Sequence, residues 1–249
     1  MVHMEDIRVV FVEPLFEINI GYVARTMKNF KIHDLYLVNP RTEVGKISLI
    51  YSAHAKDIIL NAQIVHTIQE AIDGIGYVVG TTGKPSKKNH RVLRVAITPE
   101  DLGKNMADYE GRVAILLGRE DIGLKNEELE LCNIVVTIPA NPLYPILNVS
   151  HAAAIIFYEI YKHNILSRKR TSFGIKRPSD EEVMLLEKYF NELLEKIQMP
   201  SHKKKIARIV FKRMIGRAFL SKRELFSLVG ILRRTVEALS STNEPVNLV

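Results

Sequence analysis

The sequence has little cysteine and no long apolar segment. Cys132 is its single cysteine, which excludes an intrachain disulfide and a cysteine-rich metal site. We expect Cys132 to be a small buried residue rather than a reactive thiol. No stretch approaches the roughly 20 apolar residues that cross a membrane, and Glu5 and Asp6 precede the first apolar run, unlike the start of a signal peptide. These absences predict a cytoplasmic protein without a membrane partner.

Common catalytic patterns are absent as well. The sequence contains neither G-x-G-x-x-G nor a P-loop, so dinucleotide-binding and P-loop hypotheses lose their main support. The 8 histidines are scattered without the spacing of metal ligands, and Ser150-His151 does not form a nucleophile elbow. We therefore expect no metal site and no chemistry based on such an elbow.

Positive charge is concentrated in the last third of the chain. Residues 1–161 hold 16 Lys and Arg against 19 Asp and Glu, a balance of −3, whereas residues 162–249 hold 19 against 9, a balance of +10. Lys and Arg that neutralise phosphates gain free energy because counterions are released. The asymmetry favours a nucleic-acid partner bound by the C-terminal part, although a well-solvated basic surface would have the same composition.

The first 161 residues alternate between strand and helix patterns. Apolar runs predict strands at 7–12, 35–38, 62–65, 77–80, 113–117 and 134–138. The segments between and after them predict helices near 20–30, 50–60, 99–108, 125–131 and 149–161, and a short turn near 68–73. Thr98 and Pro99 are typical of a helix start. This alternation predicts an α/β fold, a parallel sheet with helices on both faces.

The remainder of the chain is predicted to be a small all-helical domain behind a linker. We place the α/β domain at residues 1–162, a basic linker at 163–178 and the helical domain at 179–249. Two capping boxes, Ser179 with Glu182 and Ser221 with Glu224, open long amphipathic patterns. Between them, a helix at 203–216 is expected to have an apolar inner side, with Ile206, Ile209, Val210 and Met214. Its outer side is expected to be basic, with Lys203, Lys204, Lys205, Arg208, Lys212 and Arg213.

Three stretches lie where a predicted strand ends and a helix begins. They read N-I-G-Y-V-A-R at 19–25, L-G-R-E-D-I-G-L at 117–124 and I-P-A-N-P-L-Y-P-I-L-N-V-S at 138–150. The carboxyl ends of parallel strands meet at one edge of a sheet, where open α/β sheets bind their ligands. Gly118, directly after a strand, also allows the backbone to approach a ligand closely. This layout indicates an active site.

The polar residues of these stretches each have a structural interpretation too. Asn19 would serve as a helix N-cap and Arg25 as a surface arginine. Glu120 can accept hydrogen bonds from a substrate, or pair with Arg119 or Arg25. Ser150 is either the N-cap of the last helix of the domain or a hydroxyl of the site. The pattern alone leaves these alternatives open.

In their order, spacing and amino-acid residues, the three stretches resemble motifs one, two and three of the SpoU-like branch of the SPOUT RNA methyltransferases. They are most similar to the TrmJ type, which methylates tRNA at the ribose 2′-hydroxyl. The resemblance covers residues 5–161, and the third motif is its most specific part. It implies a C-terminal trefoil knot in the α/β domain, S-adenosyl-L-methionine as cofactor, a homodimer, and nucleoside 32 of the tRNA anticodon loop as target. An rRNA 2′-O-ribose methyltransferase and a non-catalytic RNA-binding protein with this fold are the alternatives.

The resemblance also implies roles for individual residues. Arg25 acts in transfer to the ribose hydroxyl and Asn19 orients it, while Glu120, Asn148 and Ser150 complete the catalytic set. Cofactor contacts are implied for Thr81, Thr82, Gly83, Gly118, Ile138, Pro145, Ile146 and Leu147. RNA contacts are expected from a loop with Lys84, Lys87, Lys88 and Arg91, and from the helical domain with Lys203, Lys204, Lys205 and Arg208.

Overall fold

The computed structural model describes residues 3–83, 95–107, 109–168, 178–218 and 220–241. The chain forms two compact units, Met1–Thr171 and Ser172–Val249, so the division falls inside the predicted linker at 163–178. Within the described residues, no helix combines the length and the apolar character needed to cross a membrane.

The first unit is built on one parallel sheet of six strands. These are β1 Ile7–Val12, β2 Asp34–Val38, β3 Gln63–Val65, β4 Tyr77–Thr81, β5 Val113–Leu117 and β6 Ile134–Val136. Their order is β3-β2-β1-β5-β4-β6, and every pair is parallel. Every residue of β1 and β5 is buried, so both faces of the sheet are covered at its centre. The α/β fold and all six predicted strands are confirmed.

Helices connect the strands of this sheet. They are α1 Glu17–Asn29, α2 Lys46–Tyr51, α3 Lys56–Leu60, α4 Ile68–Ala71, α5 Pro99–Met106, α6 Asn126–Glu130 and α7 Val149–Arg168. Thr98 caps α5 as predicted, since its side chain accepts a hydrogen bond from the backbone N–H of Asp101.

Two helices differ from their predicted extents. The single helix expected at 50–60 is divided into α2 and α3 by a 3₁₀ turn, Ala53–Ala55, in which Ala53 has φ +51°. A continuous right-handed helix excludes that conformation. In contrast, α7 continues beyond the predicted end at Tyr161, because Ile160 and Asn164 extend its buried side. The first part of the predicted linker is therefore helical.

The described residues of the second unit form three helices, α8 Asp180–Lys196, α9 Ser201–Ala218 and α10 Lys222–Ser241. Both predicted capping boxes form, with Ser179 and Ser221 each exchanging hydrogen bonds with the glutamate three residues later. The small core of this unit consists of Leu186, Ile215, Leu225 and Val229.

The predicted inner side of α9 was partly wrong. Ile206, Val210 and Met214 are exposed, whereas Arg213 is buried with 3% of its surface exposed. The rotation of the helix is set by Phe211, whose ring stacks on that of Phe190 in α8 with 3.8 Å between centroids. Ile206, Val210 and Met214 follow one another at four-residue spacing along one side of α9, and that side faces solvent within this unit.

Two helical glycines predict opposite effects of alanine. At Gly103 in α5, an added methyl carbon would lie 2.6 Å from the backbone oxygen of Glu159 in α7. We expect Gly103→Ala to lower the unfolding free energy by about 1–3 kcal/mol through overpacking. At Gly230 in α10, no described atom lies within 4 Å of the added methyl. Gly230→Ala should therefore raise the unfolding free energy by about 0.5–1 kcal/mol. Thermal and denaturant unfolding of both variants measures the changes, and changes of the same sign would contradict the close packing of α5 on α7.

Candidate active site

The three motifs converge at one edge of the sheet. Phe11 of β1 is paired with Leu117 of β5, and Gly80 of β4 is paired with Leu116 of β5, so these three strands end at the same level. The loops that follow them carry the first motif, the turn at 81–83 and the second motif. The Thr81 hydroxyl donates to the Leu116 carbonyl at 2.9 Å, which fixes this turn against β5.

A chain of hydrogen bonds joins the three motifs. Asn19 in α1 donates from Nδ2 to Oε1 of Glu120 at 3.0 Å. Its Oδ1 accepts from Nδ2 of Asn148 at 3.1 Å. The Oδ1 of Asn148 in turn accepts from the hydroxyl of Ser150 at 2.8 Å. One residue of the first motif, one of the second and two of the third are therefore held in a single network, which we call the amide network.

Glu120 also binds the backbone that precedes α1. Its Oε2 accepts from the N–H of Leu15 at 2.9 Å and its Oε1 from the N–H of Phe16 at 3.3 Å. Glu120 is hydrogen-bonded here and to Asn19, and it pairs with neither Arg119 nor Arg25. The ion-pair alternative for this carboxylate was wrong, because the free N–H groups before a helix are the nearer donors.

The N-cap interpretations of Asn19 and Ser150 were also wrong. The helix α1 begins at Glu17, so Asn19 lies inside its first turn. The helix α7 begins at Val149, and Asn148 at the N-cap position accepts from the backbone N–H of Ser150 at 2.9 Å. The cap is therefore Asn148, and Ser150 is a buried residue of the first turn whose hydroxyl belongs to the amide network.

Arg25 lies outside the amide network. It is exposed on α1, about 9 Å along the helix axis from Asn19 at 1.5 Å per residue. In the part of the chain that the structure describes, its guanidinium has no hydrogen bond and no ion pair. The group is thus available to an external anion.

A pocket adjoins the amide network at Glu120, and its walls come from the turn after β4, the second and third motifs, the end of β6 and α7. Every residue with an implied cofactor contact lines it: Thr81, Thr82, Gly83, Gly118, Ile138, Pro145, Ile146 and Leu147. The sequence missed further lining residues from the second motif and from α7, including Asp121, Ile122, Ala152 and Ile156. Helical spacing from Val149 could have indicated the two residues of α7, since 149, 152 and 156 share one side of a helix.

The close approach expected at Gly118 is made by the chain itself. A methyl carbon at Gly118 would lie 2.3 Å from the backbone carbon of Gly123 and 2.4 Å from the nitrogen of Leu124. Gly123 closes this turn, since its N–H donates to the carbonyl of Arg119 at 2.9 Å and its φ is +69°. Gly118 is therefore required by the tight turn that carries Glu120.

A buried ion cluster supports the same turn. Arg119 forms ion pairs at 2.7 Å with Glu13, which follows β1, and at 2.7 Å with Glu128 in α6. These contacts raise the pKa of Arg119, chiefly through the hydrogen bond to Glu128. The hydrogen bond from Arg119 and the neighbouring Arg41 lower the pKa of Glu13 from 4.5 to about 2. This cluster was not predictable from the sequence, because its two carboxylates lie far apart along the chain.

The pKa of Glu13 predicts a loss of stability in acid. The pKa of Glu13 is lower in the folded protein than in the unfolded chain, so its ionised form stabilises the folded state. This stabilisation is complete above pH 4.5 and is lost as the pH falls toward 2. We expect Glu13→Gln to lower the unfolding free energy by about 2 kcal/mol at pH 7, the order of a hydrogen bond to a charged group. The difference from the unsubstituted protein should shrink below pH 4.5. Glu43→Gln, which removes an exposed carboxylate, is the control. A difference independent of pH between 7 and 3 would contradict the charged pair.

The expected RNA-binding residues have different surroundings. Lys84, Lys87, Lys88 and Arg91 lie outside the described residues. In α9, Lys203 and Lys205 are exposed, whereas Lys204 and Arg208 both form ion pairs with Glu195. The acidic partner reduces the positive charge that these last two residues present to an external anion.

Similar proteins fit this layout. The pattern of the SpoU rRNA methylase family matches residues 6–158, which include all three motifs. The tRNA (cytidine-2′-O-)-methyltransferase TrmJ of Methanocaldococcus jannaschii is 36% identical over 228 residues, 91% of this chain and 98% of that protein. The tRNA (cytidine/uridine-2′-O-)-methyltransferase TrmJ of Pectobacterium atrosepticum is 34% identical over 241 residues, 92% of this chain and 96% of that protein.

A solved structure agrees with these relatives. A methylase family protein from Haemophilus influenzae superposes with a TM-score of 0.67 at 32% identity, covering 95% of this chain and 97% of that one. The family pattern spans most of the chain and contains the amide network and the pocket together. The chain belongs to the SpoU rRNA methylase family.

Proposed function

We propose that this protein transfers a methyl group from S-adenosyl-L-methionine to a ribose 2′-hydroxyl of tRNA, at nucleoside 32 of the anticodon loop. The observation that carries the proposal is the amide network, which joins Asn19, Glu120 and Asn148 beside the pocket. The archaeal and bacterial relatives that act on tRNA cytidine support tRNA as the substrate.

The pocket residues suit the proposed cofactor. Aliphatic side chains of Ile138, Ile146 and Leu147 form one part of the wall, which suits a flat adenine ring. The acidic residues Glu120 and Asp121 also line the pocket, and their negative charge favours a cation. S-adenosyl-L-methionine, when bound, supplies a methyl group on a positively charged sulfur, which is already a strong electrophile.

The contribution of the protein is therefore positioning and electrostatics. Asn19 and Asn148 fix the edge of the pocket at which the ribose must enter, since neither amide can rotate without losing a hydrogen bond. Guanidinium groups keep their proton in proteins, so a role of Arg25 as general base is disfavoured. We assign Arg25 to the phosphate beside the target ribose and to the negative charge that develops on the 2′-oxygen.

RNA affinity is assigned to the basic part of the chain. The excess positive charge lies in residues 162–249, and Lys203 and Lys205 are exposed in α9. These two lysines lie in the second unit and neutralise phosphates there, whereas the three motifs all lie in the first unit.

We also propose a homodimer through the first unit. The helix α7 buries Ile156, Phe157 and Ile160 inside its own unit, yet Ile155 and Tyr158 are exposed on another side. A helix that is apolar on more than one side requires a second surface to cover it.

A labelling experiment tests the proposed function. The protein is incubated with methyl-labelled S-adenosyl-L-methionine and either bulk tRNA or rRNA, and the labelled nucleoside is mapped. We expect a 2′-O-methylated nucleoside at tRNA position 32. Label in rRNA alone would identify the alternative substrate that the name of the family suggests. Absence of both label and calorimetric cofactor binding would contradict the enzyme and favour a non-catalytic RNA-binding protein.

Substitution of Arg25 separates its role from cofactor binding. Arg25→Ala should lower kcat by about 100-fold or more, while the affinity for S-adenosyl-L-methionine stays within about twofold, because the guanidinium lies outside the network and is exposed. Arg25→Lys should also lower kcat, since an ammonium group cannot reproduce the planar fork of donors of a guanidinium. Lys28→Ala on the same helix, whose ammonium pairs with Asp57, is the matched control. Equal losses of rate and cofactor affinity would refute the assignment of Arg25.

A further inference from the structure

A short turn at the tip of the third motif presents two large apolar side chains to solvent. Leu143 is 92% exposed and Tyr144 is 80% exposed, the largest fractions among the exposed apolar residues of the described chain. Side chains this exposed contribute almost nothing to the core, so they are available to a ligand.

The turn is rigid despite its exposure. The N–H of Tyr144 donates to the carbonyl of Asn141 at 2.9 Å, which closes a four-residue turn. The N–H of Leu143 donates to the side-chain oxygen of Asn141 at 3.0 Å. Pro142 and Pro145 restrict the backbone on both sides. A side chain held by such a turn loses little conformational entropy when it binds a ligand.

The turn is also close to the proposed reaction centre. Pro145, Ile146 and Leu147 follow it directly and line the pocket. Asn148, four residues after Tyr144, is anchored to Asn19 in the amide network. Four residues span at most about 14 Å, so the tyrosine ring lies within the reach of a nucleotide next to the one that enters the pocket.

We propose that Tyr144 is a stacking platform for an unpaired nucleobase of the substrate, with Leu143 supporting the edge of that base. The inference rests on the proposed function and adds the feature by which the enzyme selects a loop nucleotide over a paired one. Unpaired bases can turn out of the helix and stack on aromatic side chains, whereas bases in a duplex cannot. The platform therefore favours a single-stranded loop as the site of methylation.

The size of the apolar tip favours a base over a protein partner. A stable protein interface buries about 800 Å² on each side, whereas a single aromatic side chain buries about 150–250 Å². The tip offers one aromatic ring and one leucine, which matches the face of one base. Asn141 and Asn148 near the tip are polar and exposed, as expected at the border of an RNA site, while the exposed apolar residues Ile146 and Leu147 belong to the wall of the pocket.

The absence of tryptophan from the sequence allows a direct test. Tyr144→Trp introduces the only indole, whose fluorescence is quenched when a base stacks on it. We expect saturable quenching by tRNA in the presence of S-adenosyl-L-homocysteine, and little quenching by an RNA duplex of equal length. Tyr109→Trp is the control, because Tyr109 contacts Tyr77 at the opposite end of β4. Unchanged emission at saturating tRNA, or equal quenching of both variants, would overturn the proposal.

Kinetics separate stacking from a structural role. Tyr144→Ala should raise KM for tRNA by about 5- to 100-fold, the range for loss of one base–aromatic stack, with cofactor affinity and thermal midpoint unchanged. Tyr144→Phe should restore KM, since the ring is kept. An equal loss of cofactor binding, or no restoration by phenylalanine, would contradict the platform.

Two further outcomes are distinguishable. Emission of Tyr144→Trp that is already typical of a buried indole without RNA, with a dimer by light scattering, would show that a second copy covers the turn, and would overturn the inference. Failure of the unsubstituted protein to methylate any RNA would overturn the proposed function itself, whatever the fluorescence shows.

Discussion

The arrangement of this site depends on the hydrogen bond between Asn19 and Glu120. It is the only direct side-chain link between the first and second motifs in the described chain, and it ties α1 to the turn after β5. Asn19 is 5% exposed and uses both ends of its amide, donating to Glu120 and accepting from Asn148. Removing either partner would leave a polar group of this site without its bond, at a cost of about 1–3 kcal/mol. The third motif is therefore positioned through the first.

Glu120 can hold Asn19 in place because the turn that carries Glu120 is itself fixed by contacts of its neighbouring residues. Gly118 permits the backbone of residues 123 and 124 to approach closely, and Arg119 is clamped between Glu13 and Glu128. Glu120 itself accepts three hydrogen bonds, two of them from the backbone before α1. A carboxylate with four acceptor positions has one left for a ligand, which suits a positioning role better than repeated proton transfer. Two adjacent residues of the second motif thus have different roles. Arg119 anchors the turn, and Glu120 orients Asn19.

The sequence predicted the sheet and the pocket well because both follow from local patterns. Apolar runs located the strands, the ends of those strands pointed to the turn at 81–83 and to Gly118, and the family resemblance added Ile138 and residues 145–147; all of these line the pocket. Contacts between distant residues were not predictable, since nothing near Arg119 points to Glu13 as its partner. The rotation of α9 also escaped prediction. Its apolar residues lie on more than one side, and packing against the other helices, including that of Ile215 and the stacking of Phe211 on Phe190, decides which side is buried. Local sequence patterns therefore predict helices, strands and the edge of the sheet at which they meet. Contacts between residues that are distant in sequence can be seen only in the folded structure.

The arginines of the first two motifs, Arg25 and Arg119, have different surroundings, and these suit them to different roles. Arg119 is buried and paired with two carboxylates, so it could bind a phosphate only by leaving both of them uncompensated. Arg25 has no such partner among the described residues and is exposed, so binding a phosphate breaks no internal bond. The same holds for Tyr144, which gives up only water when a base stacks on it. The groups that we propose to contact RNA are left free on a framework whose polar groups at this site are hydrogen-bonded. The rigid interior can then stay unchanged while the substrate enters and leaves.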